Sequence, residues 1–147
     1  MKTKFAFLTL LLAATATAEK HRLCACREWK GEVTSDEYSK KVVNAMDGRF
    51  VFSGKKWTKE DGAMFEGSYY HAIEGQVNGA EDDGWVGGDE STELCSKQNK
   101  GPGYRYRNDR STCFTPKEGV DWRDCGPDGN CFTSKATKTD GFGKPVA

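Results

Sequence analysis

Apolar residues are thinly spread along this chain, and in only a few places do they recur with the period of a regular element. The run Phe5 to Ala14 follows the basic start Met1, Lys2 and Lys4 and closes on the small residues Ala16-Thr17-Ala18. That order is the pattern of a secretory signal over residues 1–18. The clearest periodicity comes later: Tyr38, Val42, Ala45 and Met46 fall on one helical face, with Lys40, Lys41 and Asn44 largely off it. Thr34 precedes this face as a cap, Glu37 three residues on completes a capping box, and Val33 and Tyr38 hold the staple positions. Gly48 supplies a stop, so the pattern predicts a helix over 35–47.

Beyond it, Arg49-Phe50-Val51-Phe52-Ser53 reads as a short strand ended by Gly54. Thr58 and Asp61 resemble the cap of a second helix over 59–66, weakened by Gly62. Residues 68–77 read as another strand, closed by the turn signal Asn78-Gly79. From 79 to 103 the chain is acidic, polar and Gly-rich, interrupted by Trp85-Val86 and carrying Cys95, which predicts a long surface loop. Tyr104-Arg105-Tyr106-Arg107 alternates rings and guanidiniums, as a strand with one face of each would. Val120 and Trp122 alternate with charged neighbours up to Cys125, Gly126-Pro127-Asp128-Gly129 forms a turn, and 130–133 returns as the second strand of a hairpin. Cys-Phe-Thr-x-Lys occurs at both 113–117 and 131–135, one short echo that does not make a repeat. The tail over 138–147 is expected to fray.

Composition changes the picture of the core. After residue 18 there remain two leucines, one isoleucine and eight valines, against four tryptophans, five tyrosines and six phenylalanines. Aromatic rings, each able to bury roughly 150–250 Å², must carry what the aliphatics do not. All six cysteines lie beyond the cleavage site: Cys24, Cys26, Cys95, Cys113, Cys125 and Cys131. In a secreted domain an even set of cysteines reads as three disulfides, whose pairing the sequence leaves open among fifteen. Cys24 and Cys26 are expected to point to opposite sides and to bond to different partners. The formal charge is zero for 147 residues and slightly acidic once the two leader lysines are removed, which disfavours a nucleic-acid partner. The leader run is too short to remain as a membrane anchor, and no second apolar stretch follows.

Few residues carry recognisable chemistry. The cysteine spacings lack the paired Cys-x2-Cys of a zinc site or a redox motif, and histidine occurs only at His21 and His71, so no metal and no cofactor is expected. Asp82, Asp83, Asp89 and Glu90 offer oxygen donors for calcium but lack the EF-hand spacing. No Asn-x-Ser/Thr sequon is present. Nucleophile elbows, His-Glu-x-x-His and phosphate-binding Gly-rich loops are missing. The alternative catalytic reading takes Glu66 and His71, with Glu74 near them and Arg105 and Arg107 as phosphate clamps, for a secreted ribonuclease-like hydrolase. Small secreted fungal ribonucleases are similarly poor in Leu and rich in Gly and Tyr, but nothing after His71 supplies their second histidine. For binding, the best residues are Trp85, in a polar stretch that no core pattern explains, and Tyr104, Arg105, Tyr106 and Arg107. Rings that stack on sugars and guanidiniums that grip anions also leave open a carbohydrate-binding module.

The leader, the Cys24-Ala25-Cys26 opening, the capped helix after Thr34 and the cysteine-bearing half from Cys95 to Cys131 together resemble the fungal small secreted cysteine-rich proteins, many of which act as effectors toward a host. The resemblance implies secretion and a host-directed role. The expectation is therefore a single secreted α+β domain over 19–137, one N-terminal helix packed on a small antiparallel sheet and stapled by disulfides. It would act without catalysis as an interaction protein toward an extracellular or host protein or glycan.

Overall fold

The structure, a computed structural model, describes residues 19–28, 32–77, 80–98, 110–127 and 131–134. Its elements run β1 (Lys20–His21), β2 (Leu23–Cys26), α1 (Asp36–Ala45), β3 (Phe50–Ser53), a 3-10 turn (Lys59–Asp61), β4 (Tyr70–Ala72), β5 (Glu74–Val77), β6 (Ala80–Asp83), β7 (Val86–Gly87), α2 (Gly88–Gln98), β8 (Ser111–Phe114) and β9 (Cys131–Phe132). The expected leader over 1–18, the Tyr104–Arg107 strand and the tail over 138–147 lie outside the described residues. Among the described residues no helix is long and apolar enough to cross a membrane.

The fold is α+β. Five antiparallel strands in the order β8-β2-β4-β3-β9 form the main sheet, and β1-β7 and β5-β6 are two-stranded ribbons beside it. Strand alternation sorts the sheet's side chains onto two faces. Cys24, Cys26, Phe50, Phe52, Tyr70 and Ala72 join Val42 and Val43 of α1 and Cys95 of α2 in one cluster. Leu23 and Ala25 turn the other way, toward Trp57, Ala63, Tyr69 and Phe114, which pack beneath the loops. Both faces are thus covered, and Trp57, Tyr69, Tyr70 and Phe50 are the largest side chains in the core. Aromatics do carry this interior, at about 1.5–3 kcal/mol for each large apolar side chain fully buried.

Several expectations are corrected. Cys24 and Cys26 do not diverge: residues two apart in a strand share a face, and both lie on the helix side of β2. They still take different partners. Cys24 bonds Cys113, directly opposite it on β8, Cys26 bonds Cys95 of α2, and Cys125 bonds Cys131. The stretch 79–103 is not one surface loop, since it holds β6, β7 and the eleven-residue helix α2. The single helix expected therefore becomes two. Asp89 and Glu90 in its first turn and Lys97 in its last suit the helix dipole, while its buried residues are the small Ser91 and Cys95, four apart. Small residues let α2 lie close on β2 and β8.

The caps are shifted in the same instructive way. Ser35, not Thr34, caps α1 by accepting the Tyr38 N–H at 3.3 Å. This moves the staple positions by one, so Val33 is left 48 % exposed. The buried stripe is Ser39, Val42 and Val43, with Ala45 exposed. The Thr58–Asp61 capping box forms, the Thr58 N–H donating to the Asp61 carboxylate at 2.8 Å, but only one 3-10 turn follows because Gly62 turns left-handed at φ 106°. The predicted strand over 68–77 breaks at Ile73 into β4, in the main sheet, and β5, which pairs β6 with Val77 opposite Ala80 across the Asn78-Gly79 step. Among the described residues the predicted hairpin over 120–133 does not form. Asp121 and Asp124 instead accept the N–H groups of Arg123 and Gly126 at 3.0 and 2.9 Å, turning the chain locally, and β9 pairs with β3.

Candidate functional site: the Trp85 groove

Two aspartates shape the segment that presents Trp85. The Asp82 carboxylate accepts the Gly84 N–H and the Asp83 carboxylate accepts the Trp85 N–H, both at 3.0 Å, folding the end of β6 into a tight turn. Gly84 sits at φ 76°, and a Cβ there would lie 2.8 Å from Arg22 Nη1. Without that Cβ, Arg22 Nη1 donates to the Gly84 carbonyl at 3.0 Å, and its guanidinium rests 3.7 Å from the centre of the Trp85 ring. The same guanidinium lies 4.6 Å from the Trp122 ring, against which Arg123 packs from 4.9 Å. Trp85, Arg22, Trp122 and Arg123 thereby form a run of alternating rings and cations. Each contact of this kind is worth about 0.5–1 kcal/mol where partly exposed.

Trp85 is half-buried and stands on the wall of a groove of about 680 Å³. Lys20 of β1, Arg49 and Phe50 after α1, Asp82 and Asp83 of β6 and Glu90 of α2 line it as well. Lys20 pairs with Asp83 at 3.1 Å. Burial pushes the Asp82 carboxyl above its ordinary range, against the pull of the Gly84 N–H and Arg49. Burial, and then the nearby Asp82, does the same to Glu90. Asp83 goes the other way, held down first by the Trp85 N–H and then helped by Lys20. Burial also lowers Arg22. The groove therefore combines an indole, two carboxyls set above their ordinary range and a guanidinium on one concave surface, a set suited to a ligand rich in hydroxyl groups.

The other predicted site residues are scattered. Tyr104, Arg105, Tyr106 and Arg107 lie outside the described residues. His71 is fully buried in β4, its ring edge-on to Trp122 with centroids 5.4 Å apart. Glu66 is exposed beside Gly67, where it accepts the Lys59 N–H at 3.3 Å, and the structure does not bring it to His71 on one surface. Glu74 is exposed on β5, where it acts electrostatically on Arg22. Among the described residues no three His, Cys, Asp or Glu side chains are grouped so as to hold a metal ion. No family model, curated protein or solved structure matches the chain. Arg22, Arg49 and Trp122 are the site residues that sequence reasoning missed. Asp82-Asp83-Gly84 next to a tryptophan was the one available signal that Trp85 is presented by a turn.

Proposed function

We propose that the chain works outside the cell as a disulfide-stapled interaction protein without catalysis, that its ligand binds in the Trp85 groove, and that the ligand is an extracellular glycan. The observation that carries this reading is the half-buried Trp85 indole, braced by Arg22 on the wall of a groove that also holds Asp82, Glu90 and Arg49. Indole faces stack on the apolar faces of sugars, while carboxylates and guanidiniums hydrogen-bond neighbouring hydroxyls. Three disulfides, the leader pattern over 1–18 and the resemblance to fungal secreted cysteine-rich proteins support secretion and a host-directed role.

The test is a glycan microarray probed with the purified 19–147 protein, followed by calorimetry on any ligand retained. Truncating an aromatic at the centre of a binding site costs about 2 kcal/mol or more, so Trp85→Ala is expected to weaken binding about tenfold or more. A protein that retains no glycan, or a Trp85→Ala variant that binds as well as the parent, would refute the reading. RNA cleavage that disappears in a His71→Ala variant of unchanged stability would replace it with the hydrolase.

A further inference from the structure

The register that sets Leu23 opposite Phe114 and Cys26 opposite Ser111 carries on past the ends of β2 and β8, where the Arg27 N–H donates to the Arg110 carbonyl at 3.2 Å. Arg27 and Arg110 thus stand across from each other, on the face of the sheet that also holds Leu23, Ala25 and Phe114. Like charges directly opposite each other in an antiparallel pair are destabilising. No carboxylate compensates them: neither arginine forms an ion pair among the described residues, and Glu66, which follows Phe65, is engaged by the Lys59 N–H at 3.3 Å. Burial, and then the like charge of Arg110, push the Arg27 guanidinium below its ordinary range. The cation is nevertheless held in place. Its guanidinium lies 3.8 Å from the centre of the Phe65 ring, and the Tyr69 hydroxyl anchors that segment by donating to the Phe65 carbonyl. Arg27 Nε is closed off within this packing, whereas its two Nη groups make no hydrogen bond among the described residues and are not buried, so the outer edge of the fork is open to solvent beside the exposed Arg110.

We infer that Arg27 and Arg110 together bind a phosphate monoester. The group's terminal oxygens accept from the open edge of Arg27 and from Arg110 at once, and its two negative charges match the two cations. Each feature narrows the occupant. Guanidiniums only donate, so the ligand must bring acceptors, and their uncompensated charge selects an anion over a basic segment. A single carboxylate, a sulfate ester or one diester of a nucleic-acid backbone carries one charge and would leave one arginine unmatched. The planar fork of Arg27, fixed on Phe65 beforehand, loses little freedom when it closes on an oxyanion. Neither arginine lines the Trp85 groove, so the site stands independently of the glycan reading. A lipid headgroup and a soluble ester carry the same phosphate, and the experiment separates these two sources.

The experiment titrates the purified, nitrogen-15-labelled 19–147 protein with glycerol 3-phosphate at pH 7, followed by NMR, and in parallel sediments it with phosphatidylcholine vesicles containing about a tenth phosphatidic acid. The expected result is saturable binding that shifts the signals of Arg27 and Arg110 and weakens about tenfold or more in Arg110→Gln. Binding of glycerol 3-phosphate marks a soluble ester as the source, and Arg110-dependent sedimentation without it marks a headgroup. Arg110→Gln removes the like-charge contact, so without ligand its urea midpoint should be no lower than the parent's, which separates lost binding from lost folding. Dimethyl phosphate, a diester with one charge, should bind about tenfold more weakly than glycerol 3-phosphate, while Trp85→Ala should leave binding unchanged. Binding of neither probe, equal binding by Arg110→Gln, or dimethyl phosphate that binds as tightly as the monoester would overturn the inference. So would a heparin oligosaccharide that binds in an Arg110-dependent way when neither phosphate probe does, because the occupant would then be a sulfated glycan.

Discussion

The Cys26–Cys95 and Cys24–Cys113 disulfides are nested, and their contributions to stability should therefore not add. Cross-linking acts mainly on the unfolded chain, by an amount that grows with the logarithm of the loop closed. Taken alone, the 69-residue loop between Cys26 and Cys95 corresponds to about 4.4 kcal/mol at 25 °C. With Cys24–Cys113 intact, the same two cysteines are already joined through that bond by about 20 residues of chain, and the increment falls to about 3.3 kcal/mol. The cycle is built from the parent, Cys24→Ala/Cys113→Ala, Cys26→Ala/Cys95→Ala and the quadruple variant, each unfolded in urea. All four cysteines pack in one core cluster, where packing losses couple, so the same cycle is repeated under reducing conditions and its coupling subtracted. Removing Cys26–Cys95 should be about 1 kcal/mol more costly when Cys24–Cys113 is absent. Cys125–Cys131 spans only six residues, and its removal should cost least, about 2.2 kcal/mol. Strict additivity of the nested pair, or a larger loss on removing Cys125–Cys131 than Cys26–Cys95, would refute the chain-entropy reasoning.

Three further outcomes are expected. Gly67 has φ 143°, and an added Cβ would lie 1.9 Å from Thr34 Oγ1, so Gly67→Ala should destabilise by about 2 kcal/mol or more, with partial recovery in Thr34→Ala/Gly67→Ala, read from urea midpoints. Because burial raises the Asp82 carboxyl in the folded state, its ionisation opposes folding. Asp82→Asn, which keeps the acceptor for the Gly84 N–H, should be the more stable protein at pH 7, with an advantage that fades as pH falls through the raised folded-state value and is gone below the ordinary aspartate value near 3.9, and equal stabilities at pH 7 would contradict this. Diethyl pyrocarbonate should modify His21, whose side chain is 23 % exposed, and spare the fully buried His71 until the protein unfolds, as mass analysis of peptides would show.

Where local chemistry decides, the sequence was legible. The helix after Ser35, the strand at 50–53 and the Thr58–Asp61 box all appear within a residue or two of their expected places. Each is set by groups a few positions apart, through caps, turn residues and short apolar runs. The second helix was illegible because its buried stripe is Ser91 and Cys95, which carry no hydrophobic period. The break at Ile73 was equally hidden. Tyr70 to Ala72 are buried on both sides of the main sheet, whereas Glu74 leaves it to pair with Asp83, and nothing in the local pattern marks that change of partner. Trp85 was legible as an oddity in a polar stretch, but the Arg22 and Trp122 that brace it stand more than thirty residues away in sequence.

The sequence by itself determined the class of solution. Eleven aliphatic Leu, Ile and Val residues after residue 18 cannot supply an ordinary core, so rings and cystines had to, and Trp57, Tyr69, Tyr70, Phe50 and three disulfides do. Only the tertiary structure decided which cysteines meet, because pairing depends on the register of β2 with β8 and on how closely α2 approaches the sheet. The two sites are likewise tertiary facts. Arg27 and Arg110, or Arg49 and Glu90, share a surface only because antiparallel pairing and helix packing bring distant segments together, and no local pattern of side chains encodes that distance.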